Sequence, residues 1–259
     1  MSSITIASYN VNGIRAAIKK GFLDWLAGSK YEIVHLQEVK AEMNQIDVSE
    51  IEKLGYHVYW NPAEKKGYSG VATFSKMKAD EFETGCGIRE YDSEGRIIRL
   101  QFGKLMLINT YFPSGTSGDI RQDFKMKFLA DYSKWVEKLK KKNPDIIISG
   151  DVNIAHHPID IHDPVGNKNS SGFLPDEREW LTQFLHKGWL DTLRVFNQSP
   201  HLYSWWSQRF PTVRLQNKGW RLDYHFASEA LKKNLLGADI LPSAKHSDHC
   251  PVVVRVNLP

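Results

Sequence analysis

Short apolar runs of four to six residues constrain the fold of this 259-residue chain more than any other feature. Runs of this length predict buried β-strands, because helices of globular proteins are usually longer. Several runs are followed directly by polar residues, so we expect functional groups at the ends of strands. The predicted strands are residues 4–8, 33–37, 70–75, 105–110, 146–149 and 252–256, with residues 97–102 as a further strand near a sheet edge.

Two longer segments have helical periodicity. The first carries an apolar residue at every third or fourth position: Phe124, Phe128, Tyr132, Trp135 and Leu139. It is predicted to end before Pro144, which cannot continue a helix. The second is predicted to begin at Asp176, whose spacing to Glu179 is typical of a capping box, and to end at Gly188.

The chain reads as a single domain spanning residues 1–259, because no Gly/Ser linker or low-complexity tract divides it. Its longest irregular stretch, residues 156–175, has the length of a functional loop. Cys86 and Cys250 lie in unrelated contexts and suggest neither a disulfide framework nor a zinc cluster. Since no signal peptide and no membrane-spanning apolar run is apparent, we expect a cytoplasmic protein with no membrane partner.

The charge balance permits a polyanionic partner without requiring one. The chain has 34 basic and 30 acidic residues, a formal net charge of +4 at pH 7. An acidic metal site would leave the remaining surface more positive than this total indicates. The side chains of the 8 Trp, 10 Tyr and 12 Phe are expected either to pack in a hydrophobic core or to contact a flat ligand.

Two segments repeat the same pattern at the ends of predicted strands. Residues 8–12 (SYNVN) and 149–153 (SGDVN) each place two Asn or Asp residues two positions apart. Positions i and i+2 of a strand face the same side, so each pair is predicted to point into a shared site.

Individually, the polar candidates allow both a functional and a structural interpretation. Glu38 follows the run at 33–37 and is the best metal-ligand candidate, although a solvated acid at a strand end is the ordinary alternative. Asp151 and Asn153 suit water orientation and phosphate binding. Asn10 and Asn12 are, by themselves, more typical of a turn than of a site, because Asn12-Gly13 is itself a turn signal. Asp223, Asp248 and His249 offer a general base with a carboxylate to orient it, or a structural Asp-His pair.

Taken in order, the motifs resemble the exonuclease III family of AP endonucleases over nearly the whole chain. The matching segments are residues 8–15 (SYNVNGIR), 36–40 (LQEVK), 67–71 (GYSGV), 111–113 (YFP), 150–156 (GDVNIAH), 219–224 (GWRLDY) and 247–249 (SDH). The resemblance implies a DNase I-like four-layer α/β sandwich, with two central, mainly antiparallel sheets flanked by helices.

The implied activity is Mg²⁺-dependent hydrolysis on the 5′ side of an abasic site in double-stranded DNA, leaving a 3′-hydroxyl and a 5′-deoxyribose phosphate. The resemblance also implies 3′→5′ exonuclease and 3′-end-trimming activity. Mn²⁺ is expected to substitute for Mg²⁺, and the protein is expected to act as a monomer in DNA base excision repair.

The resemblance implies a role for each matching residue. Glu38 would be the principal metal ligand, with further or alternative ligands at Asn10, Asp151, Asn153, Asp248 and His249. Tyr111 would contact the phosphate, Asp151 would activate the water or protonate the leaving oxygen, and Asn153 would stabilise the transition state. His249, supported by Asp223, would be either a general base or a cationic phosphate ligand.

DNA contacts are implied for a wider set of residues. The implied contacts to the DNA backbone are Arg15, Lys20, Lys40, Tyr68, Arg96, Asn167 and Lys168, and Arg209 would insert into the duplex. Such contacts predict sequence-tolerant, salt-sensitive cleavage. Trp205, Trp220 and Leu222 would wall a pocket for an extruded sugar without a base. Ser114 stands where many members of the family have Asn.

Other functions remain open at this point. One alternative is a different phosphodiesterase of the same superfamily, which acts on phosphoinositides, sphingomyelin or undamaged DNA. A closer alternative is a nuclease that incises DNA at uracil or at a ribonucleotide. A catalytically silent DNA-binding module is a further alternative.

Overall fold

A computed structural model describes residues 3–210 and 212–259 and contains two six-stranded sheets within them. The strands in chain order are β1 (Ser3–Asn10), β2 (Ile33–Gln37), β3 (His57–Asn61), β4 (Val71–Ser75), β5 (Glu81–Thr84), β6 (Ile97–Phe102), β7 (Leu105–Tyr111), β8 (Ile146–Asp151), β9 (Trp189–Asp191), β10 (Asp223–Ser228), β11 (Leu235–Ile240) and β12 (Val252–Asn257). One sheet has the order β11-β12-β1-β2-β4-β3 and the other β5-β6-β7-β8-β10-β9.

The helices lie between these strands along the chain. They are α1 (Ile14–Lys19), α2 (Phe22–Gly28), α3 (Val48–Lys53), α4 (Arg89–Asp92), α5 (Asp119–Lys142), α6 (Pro175–His186), α7 (Thr192–Phe196) and α8 (Thr212–Leu215). Short 3-10 helices occupy Met43–Gln45, Pro158–Asp160 and Glu229–Asn234.

Each sheet has one parallel strand pair at its centre. β1 pairs in parallel with β2, and β7 with β8, whereas the other neighbours are antiparallel. The carboxyl ends of a parallel pair lie at the same edge of the sheet, where ligand sites commonly form. Both sheets therefore direct two strand ends toward a common edge of the molecule.

The sheets pack face to face, and the helices cover their outer faces. Ile4, Ile6 and Val254 of one sheet pack between the sheets against Leu107 and Ile147 of the other. The outer face of the first sheet is covered by the segment that includes α1, α2 and α3, and that of the second by α5 and α6. This confirms the expected four-layer α/β sandwich.

The predicted strands all exist, and residues 97–102 form β6, directly inside the edge strand β5. The first predicted helix is α5, whose last turn contains Lys140, Lys141 and Lys142. The start of the second was predicted wrongly: α6 begins at Pro175, and Glu177 rather than Glu179 accepts a hydrogen bond from the preceding backbone, at Leu174 N. Pro is favoured at the first helical position, because the backbone N–H that it lacks would have no partner within the helix. This preference explains the earlier start.

Two further observations concern the described residues. No helix within residues 3–210 and 212–259 is long and apolar enough to cross a lipid bilayer. Cys86 and Cys250 are both free thiols.

Candidate active site

Strand ends from both sheets meet at one point. Asn10 ends β1, Glu38 follows β2, and Asp151 ends β8 in the other sheet. The Asn10 Nδ2 atom donates to Glu38 Oε1 and to Asp151 Oδ2, each at 2.8 Å. One buried amide therefore bridges a carboxylate of each sheet and fixes their separation.

The repeated sequence pattern corresponds to a repeated turn. Asn12 N donates to Asn10 Oδ1 at 3.0 Å, and Asn153 N donates to Asp151 Oδ1 at 2.9 Å. Asn12 and Asn153 both have left-handed backbones, with φ of 44° and 56°. Each strand therefore ends at the first residue of its pair, Asn10 or Asp151. The turn, and not the alternation of a strand, orients the second residue, Asn12 or Asn153. Because Asn10 Oδ1 accepts from the turn, its amide N–H groups face the carboxylates.

His249 lies beside these carboxylates with its own acidic partner. Its Nδ1 is 2.8 Å from Asp223 Oδ2, and its Nε2 is 3.9 Å from Asp151 Oδ2. Asp223 is at the start of β10, and its Oδ2 also accepts from Ser204 Oγ at 2.6 Å. This arrangement fixes the imidazole so that its second nitrogen faces the cleft.

The electrostatics of this group are strongly coupled. Burial, together with the carboxylates of Asp223 and Glu38, raises the pKa of Asp151 to about 7, although the His249 imidazole opposes the shift. Burial alone would lower the pKa of His249, but Asp223 and Asp151 raise it to about 10. An excess of buried negative charge contributes to both shifts: it adds to the effect of burial on Asp151 and outweighs the effect of burial on His249.

Glu38 and Tyr111 complete the polar end of the cleft. Lys40 Nζ lies 2.7 Å from Glu38 Oε2 and 2.6 Å from Asn12 Oδ1. Burial alone would raise the pKa of Glu38, but the Lys40 ammonium and the Asn10 amide hold it below its usual value. Tyr111 ends β7, and burial next to Glu38 raises the pKa of its hydroxyl well above the usual range. The phenol is therefore a hydrogen-bond donor at neutral pH.

The residues fit a divalent metal ion. Ligand atoms of Glu38, Asp151 and His249 all lie within 4.8 Å of one another. Two hard carboxylate oxygens beside an imidazole match the donor set of divalent cations in hydrolytic sites, and a cation would offset the excess negative charge. Asp248 lies outside this group, since its Oδ1 accepts from Asn12 Nδ2 at 3.0 Å and its Oδ2 from Trp205 Nε1 at 3.1 Å.

An apolar recess lies next to the charged groups. Trp205 and Trp220 pair through their backbones, and their rings meet edge to face at 6.0 Å. Leu222 belongs to the same apolar cluster, with Ile161 and Phe173 behind it. The last two were not predicted, because they lie in or next to the long irregular stretch at 156–175, where no periodicity marks an inward face.

Charged groups and recess open into one cleft of ≈ 810 Å³. Its lining includes six of the predicted site residues at the polar end, namely Glu38, Tyr111, Asp151, Asn153, Asp248 and His249. A further wall comes from the loop after β7, from the first turn of α5 and from residues 169–174, including Ser114, Gln122, Ser171 and Gly172. This volume exceeds that of a single sugar phosphate, so the cleft has room for neighbouring nucleotide units.

The predicted DNA contacts lie in different settings. Arg15 and Lys40 line a second groove, of ≈ 410 Å³, together with Lys19. Lys20, Lys168 and Arg209 are exposed. Asn167 is half-buried, and its Nδ2 donates to Asp163 O at 2.9 Å, so its side chain orders its own loop.

Arg96 requires a correction. It was predicted to contact DNA directly, but it is 1% exposed. Its guanidinium donates to Glu94 Oε2 at 2.6 Å, to the Tyr111 carbonyl at 2.9 Å and to Tyr68 Oη at 3.2 Å, and it lies over the Tyr111 ring. A buried guanidinium with these partners supports Tyr111 and Tyr68 instead of presenting its charge to a phosphate.

Comparisons with known proteins agree with this geometry. Residues 7–249 match the Endonuclease/Exonuclease/phosphatase family. The chain is 40% identical over 255 residues to an exodeoxyribonuclease of Bacillus subtilis (strain 168), covering 98% of this chain and 99% of that protein. It is 36% identical over 256 residues to the DNA repair nuclease APEX1 of Danio rerio, covering 98% and 82%.

The fold is similar to that of a solved AP endonuclease from Archaeoglobus fulgidus. The TM-score is 0.90 at 28% sequence identity, covering 98% of this chain and all of that one. The match in sequence, the match in fold and the convergence of acidic groups at one sheet edge lead to the same conclusion. The chain belongs to the endonuclease/exonuclease/phosphatase family.

Proposed function

We propose that this protein is a DNA-repair nuclease that hydrolyses the phosphodiester 5′ to an abasic site, leaving a 3′-hydroxyl and a 5′-deoxyribose phosphate. The observation that carries the proposal is the position of Glu38, Asp151 and His249 beside the recess of Trp205, Trp220 and Leu222. A phosphate at the charged groups places the adjoining sugar at the apolar recess. A sugar without a base enters such a recess more easily than an intact nucleotide, which loses stacking and pairing.

The proposed metal is Mg²⁺, held by Glu38 and Asp151. Mg²⁺ prefers oxygen ligands and keeps several waters, so two carboxylates suffice. When bound, the ion supplies positive charge to the phosphate oxygens. Tyr111 and Asn153 donate hydrogen bonds to the phosphate, and Asp151 either takes the proton of the attacking water or gives one to the leaving oxygen. His249, oriented by Asp223, faces the phosphate.

Positioning of the duplex is assigned to side chains around the cleft. Arg15 and Lys40, which line the second groove, are proposed to bind backbone phosphates, together with the exposed Lys20 and Lys168. Arg209 is proposed to insert into the duplex beside the extruded sugar. Contacts to phosphates carry no base information, so cleavage is expected to be independent of sequence and weakened by salt.

A 3′→5′ exonuclease activity is a second proposed function of the same site. The relative at 40% identity is an exodeoxyribonuclease, and it is matched over nearly its full length. The cleft volume of ≈ 810 Å³ is compatible with a terminal nucleotide.

The test is incision of a duplex with one tetrahydrofuran abasic analogue, with Mg²⁺ and with chelator. We expect Mg²⁺-dependent cleavage directly 5′ to the analogue, giving an end that a polymerase extends. Glu38→Ala and Asp151→Asn should each lower the rate by on the order of 10³-fold, with DNA affinity nearly unchanged. Glu52→Ala, an exposed acid on α3, is the control and should behave as wild type.

Parallel substrates separate this function from its rivals. Duplexes that carry uracil, a ribonucleotide or no lesion, and vesicles that contain phosphoinositide or sphingomyelin, are assayed under the same conditions. No incision of the abasic duplex with Mg²⁺, Mn²⁺ or Ca²⁺ would contradict the proposal, and so would unchanged cleavage by both variants.

A further inference from the structure

A buried ion pair lies behind the cleft and belongs to no residue set that the sequence singled out. Lys125 of α5 and Glu177 of α6 are both 0% exposed, with Lys125 Nζ 2.5 Å from Glu177 Oε1. The same Nζ donates to the backbone carbonyl of Asn153 at 2.8 Å. The pair therefore reaches the catalytic strand end directly from the helix layer.

Glu177 also holds the wall of the cleft that residues 169–174 form. Its Oε2 accepts from the backbone N atoms of Gly172 at 2.6 Å and Leu174 at 3.0 Å. Its Oε1 accepts from Gln122 Nε2 at 3.1 Å and Ser171 Oγ at 3.3 Å. One carboxylate thus holds the 169–174 loop through hydrogen bonds that Ser171, Gly172 and Leu174 donate. All three residues line the cleft.

The loop and the strand end are in mutual contact, so their positions are coupled. Gly172 O accepts from Ala155 N at 2.7 Å. A Cβ on Gly172 would lie 3.1 Å from the Trp220 ring and 3.2 Å from Asn153 O. Asn153 has a left-handed backbone with φ of 56°, which Asn adopts more readily than most residues with a side chain, so its exact position depends on the contacts that restrain it. Lys125 supplies such a restraint at the carbonyl of this residue.

Stability alone does not account for a charged pair here. The surroundings are apolar, with Phe112, Phe128 and Leu181 in the adjoining core. Replacing a buried ion pair with apolar residues of similar volume is often neutral or stabilising, whereas the pair specifies geometry. Only a carboxylate accepts from two backbone amides on one oxygen and from an ammonium on the other.

We propose that Lys125 and Glu177 are positioning residues for the reaction. They hold Asn153 and the 169–174 loop where the phosphate and the sugar are bound. The inference rests on the proposed nuclease function and adds to it two residues that touch neither DNA nor metal. Their loss should lower kcat more than it raises KM, because the bound substrate then meets a misplaced Asn153.

The experiment compares Lys125→Met, Glu177→Gln and the double variant with wild type. Each single variant leaves one charge buried without its partner and should lower the Tm by roughly 5–15 °C. In the double variant no charge is stranded, so most of this loss should be recovered. Its kcat on the abasic duplex should stay at least about tenfold below wild type, with KM within about threefold. Val136→Ala, a buried change on α5, should lower the Tm but leave kcat unchanged.

Two outcomes would overturn the inference. One is a double variant whose kcat recovers together with its Tm, and the other is single variants with the kcat of wild type. Hydrogen exchange at the Gly172 and Leu174 amides gives a readout that needs no activity, and both amides should exchange faster in Glu177→Gln. If wild type itself fails to incise abasic DNA, the proposed function is wrong, and the exchange measurement still decides whether the pair positions the loop.

Discussion

Asp160 lies outside the cleft, yet two arginines hold its carboxylate. Its Oδ1 accepts from Arg221 Nε at 2.7 Å and from Arg194 Nη2 at 2.5 Å, and Arg221 Nη2 donates to Oδ2 at 3.1 Å. Burial alone would raise the pKa of Asp160, but the two guanidinium groups hold it far below its usual value. Arg221 lies between Trp220 and Leu222 in sequence, so this network also anchors the segment that forms the recess.

Asp160→Asn should lower the free energy of unfolding by about 3–5 kcal/mol at pH 7, because it leaves Arg221 and Arg194 buried without this anion. A carboxyl group whose folded-state pKa is lowered stabilises the protein above its unfolded-state pKa. That contribution is lost as pH falls through the lowered value. The difference between variant and wild type should therefore shrink progressively below about pH 4, where Asp160 begins to be protonated in the unfolded chain. Urea unfolding at pH 7, 4 and 3 measures it.

The exposed Asp123 of α5 provides the control for this prediction. Asp123→Asn should match wild type at each pH. A difference for Asp160→Asn that stays constant from pH 7 to pH 3 would contradict a stabilising role for the ionised carboxylate.

Individual site residues were predictable from the sequence where a reactive side chain comes directly after a strand. Glu38 and Asp151 come immediately after apolar runs, so their placement at a sheet edge follows from local pattern. Arg96 was misplaced because a basic residue in sequence does not reveal whether its charge is compensated by Glu94 and Tyr68. Glu177 was missed for a similar reason, since its partner Lys125 is 52 residues away in sequence.

At the scale of elements, the β7–β8 pair depends on a glycine. Gly150 precedes Asp151 and pairs with Thr110 in the parallel register. It has φ of 151°, and a Cβ at this position would lie 1.8 Å from the Thr110 carbonyl oxygen. The two strands approach each other this closely only because residue 150 has no side chain.

Gly150→Ala should force β7 and β8 apart at the point where they end in Tyr111 and Asp151. We expect the free energy of unfolding to fall by about 2–4 kcal/mol, since backbone has to move to admit the methyl group. The incision rate should fall by at least about tenfold because Asp151 moves with its strand. Chemical denaturation and single-turnover incision measure the two effects.

Gly28 gives a matched glycine control. It lies at the end of α2, and an added Cβ there has open space within 4 Å. Gly28→Ala should leave activity unchanged and alter stability by less than about 1 kcal/mol. Equal behaviour of the two variants would contradict the role of the close approach at Gly150.

Elements were predictable where their apolar pattern is continuous, as in β2, β8 and α5. β10 was missed although its pattern alternates: Tyr224 and Phe226 face the helix layer, while His225 and Ala227 face the other sheet. The short helices α1, α2, α3 and α7 have five to seven residues, which is too few for a period of 3.6 to stand out. Their formation depends on packing against the sheets.

The pairing of strands belongs to the whole molecule and is not written in any one segment. β1 lies next to β12, from the opposite end of the chain, and local pattern carries no information about such partners. The interface between the sheets also changes character along its length. It is apolar at Ile6, Leu107 and Ile147, and it becomes polar near the cleft, where Gln37 and Asn109 are both buried.

Asn109 joins the two sheets directly beneath the active site. From β7 its Oδ1 accepts from Gln37 Nε2 at 2.7 Å, and its Nδ2 donates to Ala72 O at 2.8 Å and Leu36 O at 3.2 Å. All three partners belong to the other sheet. Since Glu38 extends from one sheet and Asp151 from the other, the contacts of Asn109 help to set the distance between the two carboxylates.

Asn109→Leu keeps a side chain of similar size but removes every one of these bonds. Gln37 then remains buried with a lost partner, so the free energy of unfolding should fall by about 2–4 kcal/mol. The incision rate should fall as well, because the sheets are free to shift by fractions of an ångström where Glu38 and Asp151 meet. Ile108→Val, next in sequence but facing the helix layer, should cost about 0.5–1.5 kcal/mol and leave the rate unchanged. Thermal unfolding and single-turnover incision of both variants decide the point: a rate for Asn109→Leu equal to that of Ile108→Val would mean that the two sheets hold their carboxylates in place without this contact.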